Sequence, residues 1–133
     1  MRVGTPAERS PRPEIVARAE EIAALTGGSV VVTSSVQEAV AGADAVATDT
    51  WVSMGDATAA EEAAALFAPY RLDARVLALA APGAVVLHCL PAYRGNEVTA
   101  DVLDGPQSVV FDEAENRLHA QKALLVWLLG RLS

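Results

Sequence analysis

Hydrophobic positions along this chain switch between two spacings. From Glu14 to Thr26 they recur with a helical period: Ile15, Ala19, Ile22 and Leu25 fall on one face, and Glu14, Arg18 and Glu21 on the other. Gly27 and Gly28 follow, and glycine suits the left-handed position that ends a helix. Short runs rich in valine and threonine read instead as strands: Met1–Gly4, Ser29–Thr33, Ala45–Thr48, Ala84–His88 and Ser108–Phe111. Between them the pattern predicts a short helix from a Ser34 or Ser35 cap to Ala41 and an alanine-rich helix over Thr58–Phe67. It also predicts a helix from Asp73 to Ala80, a helical turn over Thr99–Leu103 capped by Thr99, and a long final helix over Glu113–Leu132. Strands alternating with helices imply parallel βαβ units. The expected architecture is an α/β, Rossmann-like parallel sheet with helices on both faces, forming one domain over residues 1–133.

Two features of the pattern suggest that this domain is incomplete. The chain opens almost directly on a strand and offers only about five strands. In the final helix Ala123–Leu129 is continuously apolar, so its apolar surface exceeds one face. Each leucine left in water forfeits roughly 1.5–3 kcal/mol of burial. The expectation is that another domain or subunit covers this helix; the alternative is that it lies centrally in a small two-layer fold.

Composition narrows the partners. Ten basic against seventeen acidic residues give a net charge of −7, which argues against nucleic acid or an anionic membrane as partner. A small anionic substrate is not excluded, because a few arginines in a cleft outweigh the global charge locally. A single cysteine excludes an internal disulfide and a multi-cysteine zinc site. No apolar run approaches the roughly 18 residues of a membrane span, and no signal-peptide core is visible. A cytoplasmic location is the expectation.

Candidate chemistry gathers in three clusters at or near strand ends: Asp49–Gly55, His88–Gly95 and Phe111–Lys122. Parallel strands joined by right-handed crossovers point the same way, so all three should reach one rim of the sheet, where open α/β sheets bind ligands. A carboxylate, a thiol and a guanidinium meeting there make a small polar site. Individually each residue has a plainer reading. Asp49 fits a turn or cap, Ser53-Met54 an ordinary loop, and Cys89 a small buried hydrophobe. Arg117 fits a surface pair with Glu113 or Gln121, and His88 and His119 fit structural roles. No G-x-G-x-x-G follows any strand, so a nucleotide-binding alternative lacks its fingerprint.

Taken together, the D-x-W-x-S-M-G loop from Asp49, the H-C-L-P turn from His88 and the run Asp104–Arg117 (D-G-P-Q-S-V-V-F-D-E-A-E-N-R) resemble the C-terminal, ornithine-binding domain of the ornithine carbamoyltransferase family. The resemblance covers nearly the whole chain, from about Arg2 to Leu129. It implies that Asp49 pairs with an amino group of L-ornithine and that Ser53 and Met54 contact its amino-acid end. It places Cys89 beside the reacting δ-amine, has Cys89 and Leu90 backbone help seat the carbamoyl group, and points Arg117 at the carbamoyl phosphate oxygen. It implies no metal and no organic cofactor, and a homotrimer whose site lies between two domains. The family's S-T-R-T and H-P-x-Q motifs of the carbamoyl phosphate domain do not occur here. The ornithine domain's own first strand and helix, with an asparagine that contacts ornithine, also lack a counterpart. Tyr93 stands where many relatives have histidine. The resemblance therefore implies about half a site, with no measurable transfer by this chain alone. The alternatives are a non-catalytic amino-acid-binding remnant or a truncated gene product.

Overall fold

A computed structural model describes residues 1–52 and 60–130. The strands are β1 (Arg2–Gly4), β2 (Val31–Thr33), β3 (Ala45–Thr48) and β4 (Val85–His88). The helices are α1 (Pro13–Thr26), α2 (Val36–Val40), α3 (Ala60–Phe67), α4 (Ala74–Leu77), α5 (Ala100–Leu103) and α6 (Val110–Leu128). Both strand pairs are parallel: β1 with β2, and β3 with β4 in the register Ala45↔Val85 through Thr48↔His88. The fold is α/β and Rossmann-like, but the described strands form two separate two-stranded ladders.

Local signals place the helices. Gly27 closes α1 at φ +73°, a conformation that costs a side chain with a Cβ far more. Ser35 Oγ accepts the Glu38 N–H at 3.2 Å and starts α2, and Asp73 Oδ1 accepts the Arg75 and Val76 N–H groups and starts α4. α4 ends at Leu77, short of the expected Ala80. The Leu79 carbonyl instead accepts the Gly42 N–H, and the Ala81 N–H goes to Ala43 O, which pulls the backbone out of the helical ladder. Thr99 precedes α5 without a side-chain cap bond.

The expected strand over Ser108–Phe111 is corrected to one bridge. Val86 donates its N–H to Gln107 O at 2.8 Å and accepts the Val109 N–H at 3.0 Å, and α6 begins at Val110, three residues before the predicted start. Val110 is fully buried, so packing ends the strand and starts the helix at once.

The core sits beside β4. Leu72, Leu77, Val86, Val98, Val102, Leu103 and Val110 form one buried cluster, with Val46, Val76 and Leu90 packed against it. α1 has no buried residue. Ile15, Ile22 and Leu25, on the apolar face read from its period, are exposed, and its half-buried positions are Val16, Ala19 and Ala23. The far half of α6 is largely bare, with Leu124 54 % and Leu128 65 % exposed and Val126 alone half-buried. A central position for that helix is thereby ruled out.

Candidate active site

Register brings the first two functional groups together. Thr48 faces His88 across the β3–β4 ladder, so Asp49 and Cys89 are the next residues out, at the carboxyl ends of adjacent parallel strands. The Cys89 thiol donates to Asp49 Oδ1 at 3.3 Å, and the same oxygen accepts the Thr50 N–H at 2.7 Å. Arg117 arrives from α6, about two turns past its buried start, and its Nη1–H donates to Cys89 O at 3.0 Å. Acid, thiol and guanidinium thus share one rim although they are far apart in sequence. Asp49 Oδ2 has no hydrogen-bond partner among the described residues.

The loop after β4 is braced from below. His88 and Glu97 are both buried. His88 Nδ1 accepts the Leu90 N–H at 2.9 Å, which leaves the ring hydrogen on Nε2. Nε2 lies 3.3 Å from Glu97 Oε1 without the alignment of a hydrogen bond. That oxygen accepts the Tyr93 N–H at 2.6 Å. Leu90 adopts φ +53° ahead of a cis Leu90–Pro91 peptide. A left-handed leucine costs about 1–2 kcal/mol, and the bond from its N–H to His88 helps to hold it. Farther out, Arg94 grips Asp104 with two bonds, Nε to Oδ2 at 2.9 Å and Nη2 to Oδ1 at 2.6 Å, on the surface. Arg71 donates through Nε to Asn96 O at 2.7 Å and lies 5.9 Å from the Trp51 ring centroid, which stacks on Phe67.

These contacts decide what the thiol can do. Burial pushes the Cys89 thiol above its usual range; the hydrogen bond to Asp49 and that carboxylate's charge push the same way, against Arg117. Cys89 is a protonated donor near neutral pH, not a thiolate nucleophile. Asp49, His88 and Cys89 present donor atoms within 4.8 Å of one another. A metal fits this trio poorly, because Nδ1 is already an acceptor for Leu90 and the thiol is held protonated. The rim instead offers a carboxylate on one side of a neutral thiol and a guanidinium on the other. Asp49, Thr50 and Trp51 also line a cavity of about 370 Å³ that runs back between β1 and β3.

Of the residues singled out from the sequence, Asp49, Cys89 and Arg117 converge. Leu90 is half-buried against the core, with its N–H engaged by His88. Ser53 and Met54 lie outside the described residues. Arg117 bonds to the Cys89 carbonyl rather than forming the surface pair its helical spacing allowed. Sequence reasoning missed Glu97. Its signal was indirect: a histidine at the buried end of a strand needs a polar partner, and the nearest carboxylate on the far side of the loop is Glu97.

An α/β fold of parallel strands, with an acid and a thiol at their carboxyl ends and a guanidinium from α6 beside them, is the kind of arrangement in which open α/β sheets bind small ligands. Residues 1–128 match the aspartate/ornithine carbamoyltransferase Asp/Orn binding domain, and the chain belongs to that family. It is 61 % identical over 131 residues to the ornithine carbamoyltransferase of Leifsonia xyli, which covers 98 % of this chain but 42 % of that protein. Among solved structures, ornithine carbamoyltransferase from Pyrococcus furiosus superposes with a TM-score of 0.88 at 46 % identity, over 94 % of this chain and 40 % of that one. The anabolic enzyme from Campylobacter jejuni gives 0.91 at 36 % identity, over 98 % and 43 %. The chain therefore spans about two fifths of the length of these relatives.

Proposed function

We propose that this chain supplies the ornithine side of carbamoyl transfer from carbamoyl phosphate to L-ornithine, giving L-citrulline and phosphate. The observation that carries the reading is the meeting of Asp49, Cys89 and Arg117 at one sheet rim. Asp49 holds an amino group of ornithine by charge, and Ser53 and Met54 take its amino-acid end. The neutral δ-amine attacks the carbamoyl carbon. A new C–N bond forms, the C–O bond to phosphate breaks, and the proton lost by the amine leaves on the departing phosphate. Negative charge grows on the carbamoyl oxygen as carbon becomes tetrahedral. The Arg117 guanidinium is placed to bind that oxygen more tightly in the transition state than in the ground state, which is what lowers a barrier. Cys89, kept protonated, contributes a donor beside the amine without competing as a nucleophile, and the Leu90 backbone helps to seat the carbamoyl group.

The same reading assigns residues 1–133 to a partial ornithine domain. The carbamoyl phosphate side then comes from polypeptide beyond the matched region, joined to this chain or supplied by another. A cytoplasmic trimer serving arginine biosynthesis is the setting that fits, with no organic cofactor. The test uses the purified chain with carbamoyl phosphate and ornithine, with and without the separately expressed remainder of the Leifsonia xyli enzyme. The chain alone should make no measurable citrulline, and the mixture should make it. Arg117→Ala should cut the mixture's rate at least a hundredfold, and Asp49→Ala should raise the ornithine requirement. Turnover by the chain alone, or a mixture indifferent to Asp49 and Arg117, would end the reading.

A further inference from the structure

One side chain outside the rim touches both of the loops that build it. Arg71 follows the helical turn Ala68–Tyr70 and closes it with its own N–H to Ala68 O at 3.3 Å. Its Nε–H donates to Asn96 O at 2.7 Å, in the loop after β4, and its guanidinium carbon lies 5.9 Å from the centre of the Trp51 ring, in the loop after β3. Trp51 comes two residues after Asp49. Asn96 directly precedes Glu97, whose carboxylate holds the Tyr93 N–H under the Cys89 loop.

Both ends of this link are backed by fixed structure. Leu72, the next residue, is buried; its N–H goes to Glu97 O at 2.9 Å and its carbonyl accepts the Thr99 N–H at 3.0 Å, a parallel bridge to Val98. The indole that Arg71 faces stacks on Phe67 at 6.2 Å, Phe67 meets Tyr70 edge-on at 6.4 Å, and the Tyr70 hydroxyl donates to Ser34 O at 2.9 Å. A guanidinium serves both ends at once because its donors lie in the edge of a plane and its charge is attracted to a π face. Among the described residues no carboxylate forms an ion pair with it.

The two loops also meet where the Cys89 thiol reaches Asp49 at 3.3 Å. A single contact leaves them free to pivot about it, and both of its partners are groups that a ligand at the rim engages. A second tie, made by groups that stand clear of the ligand, keeps the loops in place while the first is exchanged.

We propose that Arg71 is a positioning residue that supplies this second tie: through Asn96 and Trp51 it fixes the Asp49 loop against the Cys89 loop and so holds the carboxylate in register with the thiol. Its bearing on ornithine rests on the carbamoyl-transfer reading; the tie itself does not.

Trp127→Phe leaves Trp51 as the single tryptophan. In that background acrylamide quenching reads the indole, and the Glu97 amide resonance reads the other end, because the Asn96 carbonyl and the Glu97 N–H share one peptide group. Arg71→Met keeps the apolar stem but neither the charge nor the donor. It should raise the Trp51 quenching constant about twofold or more and displace the Glu97 amide signal, with an unchanged far-ultraviolet spectrum. Arg71→Lys keeps a cation beside the indole and should return the quenching most of the way to wild type. In the mixture with the separately expressed remainder of the Leifsonia xyli enzyme, Arg71→Met should raise the ornithine KM about fivefold or more and change kcat less than about twofold, and Arg71→Lys should recover most of that KM. Mere loss of folded protein would instead lower kcat at constant KM. Quenching and a Glu97 signal indifferent to Arg71→Met overturn the tie, and a fall in kcat alone overturns the positioning role. A mixture that makes no citrulline ends the carbamoyl-transfer reading alone, since quenching and the amide signal still decide the tie.

Discussion

The two ladders of this molecule are built from similar short valine-rich strands, yet they are finished to different degrees. The β3–β4 side closes on itself: Val86 is buried between β3, the bridge to Ser108 and the start of α6, and Leu72, Leu103 and Val110 complete the packing. The β1–β2 side has no such centre. Neither strand contains a buried residue, and α1 presents Ile15, Ile22 and Leu25 to solvent. The rim that carries Asp49, Cys89 and Arg117 belongs wholly to the closed side. A candidate site can thus be held in place by one ladder while the other lacks a buried centre.

The sharpest way to break this contrast is to place one charge on each side. Val86→Asp buries a carboxylate with no partner and should cost more than about 4 kcal/mol, enough to unfold the domain. Val31→Asp, half-exposed on β2, should cost under about 1 kcal/mol. Urea denaturation of the two variants measures the difference, and equal costs would show that the two sides do not differ in packing. Next comes the brace under the loop. Glu97→Ala strands the Tyr93 N–H and leaves His88 beside an empty space, which should lower stability by about 2–3 kcal/mol in the same titration.

Smaller effects report on the rim itself. Alkylation of Cys89 by iodoacetamide should rise with pH later than in an unfolded control, because burial and then Asp49 hold the thiol protonated. Asp49→Asn should move that rise to lower pH, and a rise matching the unfolded control would contradict the buried thiol. The smallest effect belongs to Arg94 and Asp104. The guanidinium, mainly through its hydrogen bonds, holds the Asp104 carboxyl below its ordinary range. The folded pKa is therefore the lower one, so the stability gained is full above the ordinary carboxylate range and fades as pH falls through the depressed value. Wild type should melt slightly above Arg94→Ala at neutral pH. The two should converge in acid and, because the pair is half-exposed, in high salt.

How legible each part was follows from how local its cause is. Helix limits set by Ser35, Asp73 and Gly27 were readable because a cap acts within one turn. Asp49 and Cys89 were readable as a pair because both follow runs whose strand character is plain, and parallel register then does the rest. The last strand was not readable. Val109-Val110-Phe111 has the composition of a strand, but burial of Val110 and a single bridge at Val86 turn it into a helix start, and neither acts locally. The buried stripe of α1 was not readable for a related reason. Ile15, Ile22 and Leu25 follow a helical period faithfully, but the half-buried residues are Val16, Ala19 and Ala23, and the period alone does not say which stripe meets a neighbour. Glu97 escaped because its meaning depends on His88, across a loop.

The length of α6 carries one more consequence. At about 1.5 Å per residue its 19 residues make a rod nearly 30 Å long. The rod is pinned at Val110, it holds the Cys89 carbonyl through Arg117 partway along, and it is unclad at its far tip. Whatever body clasps that tip has leverage over the tilt of the guanidinium, and so over its separation from the acid across the rim.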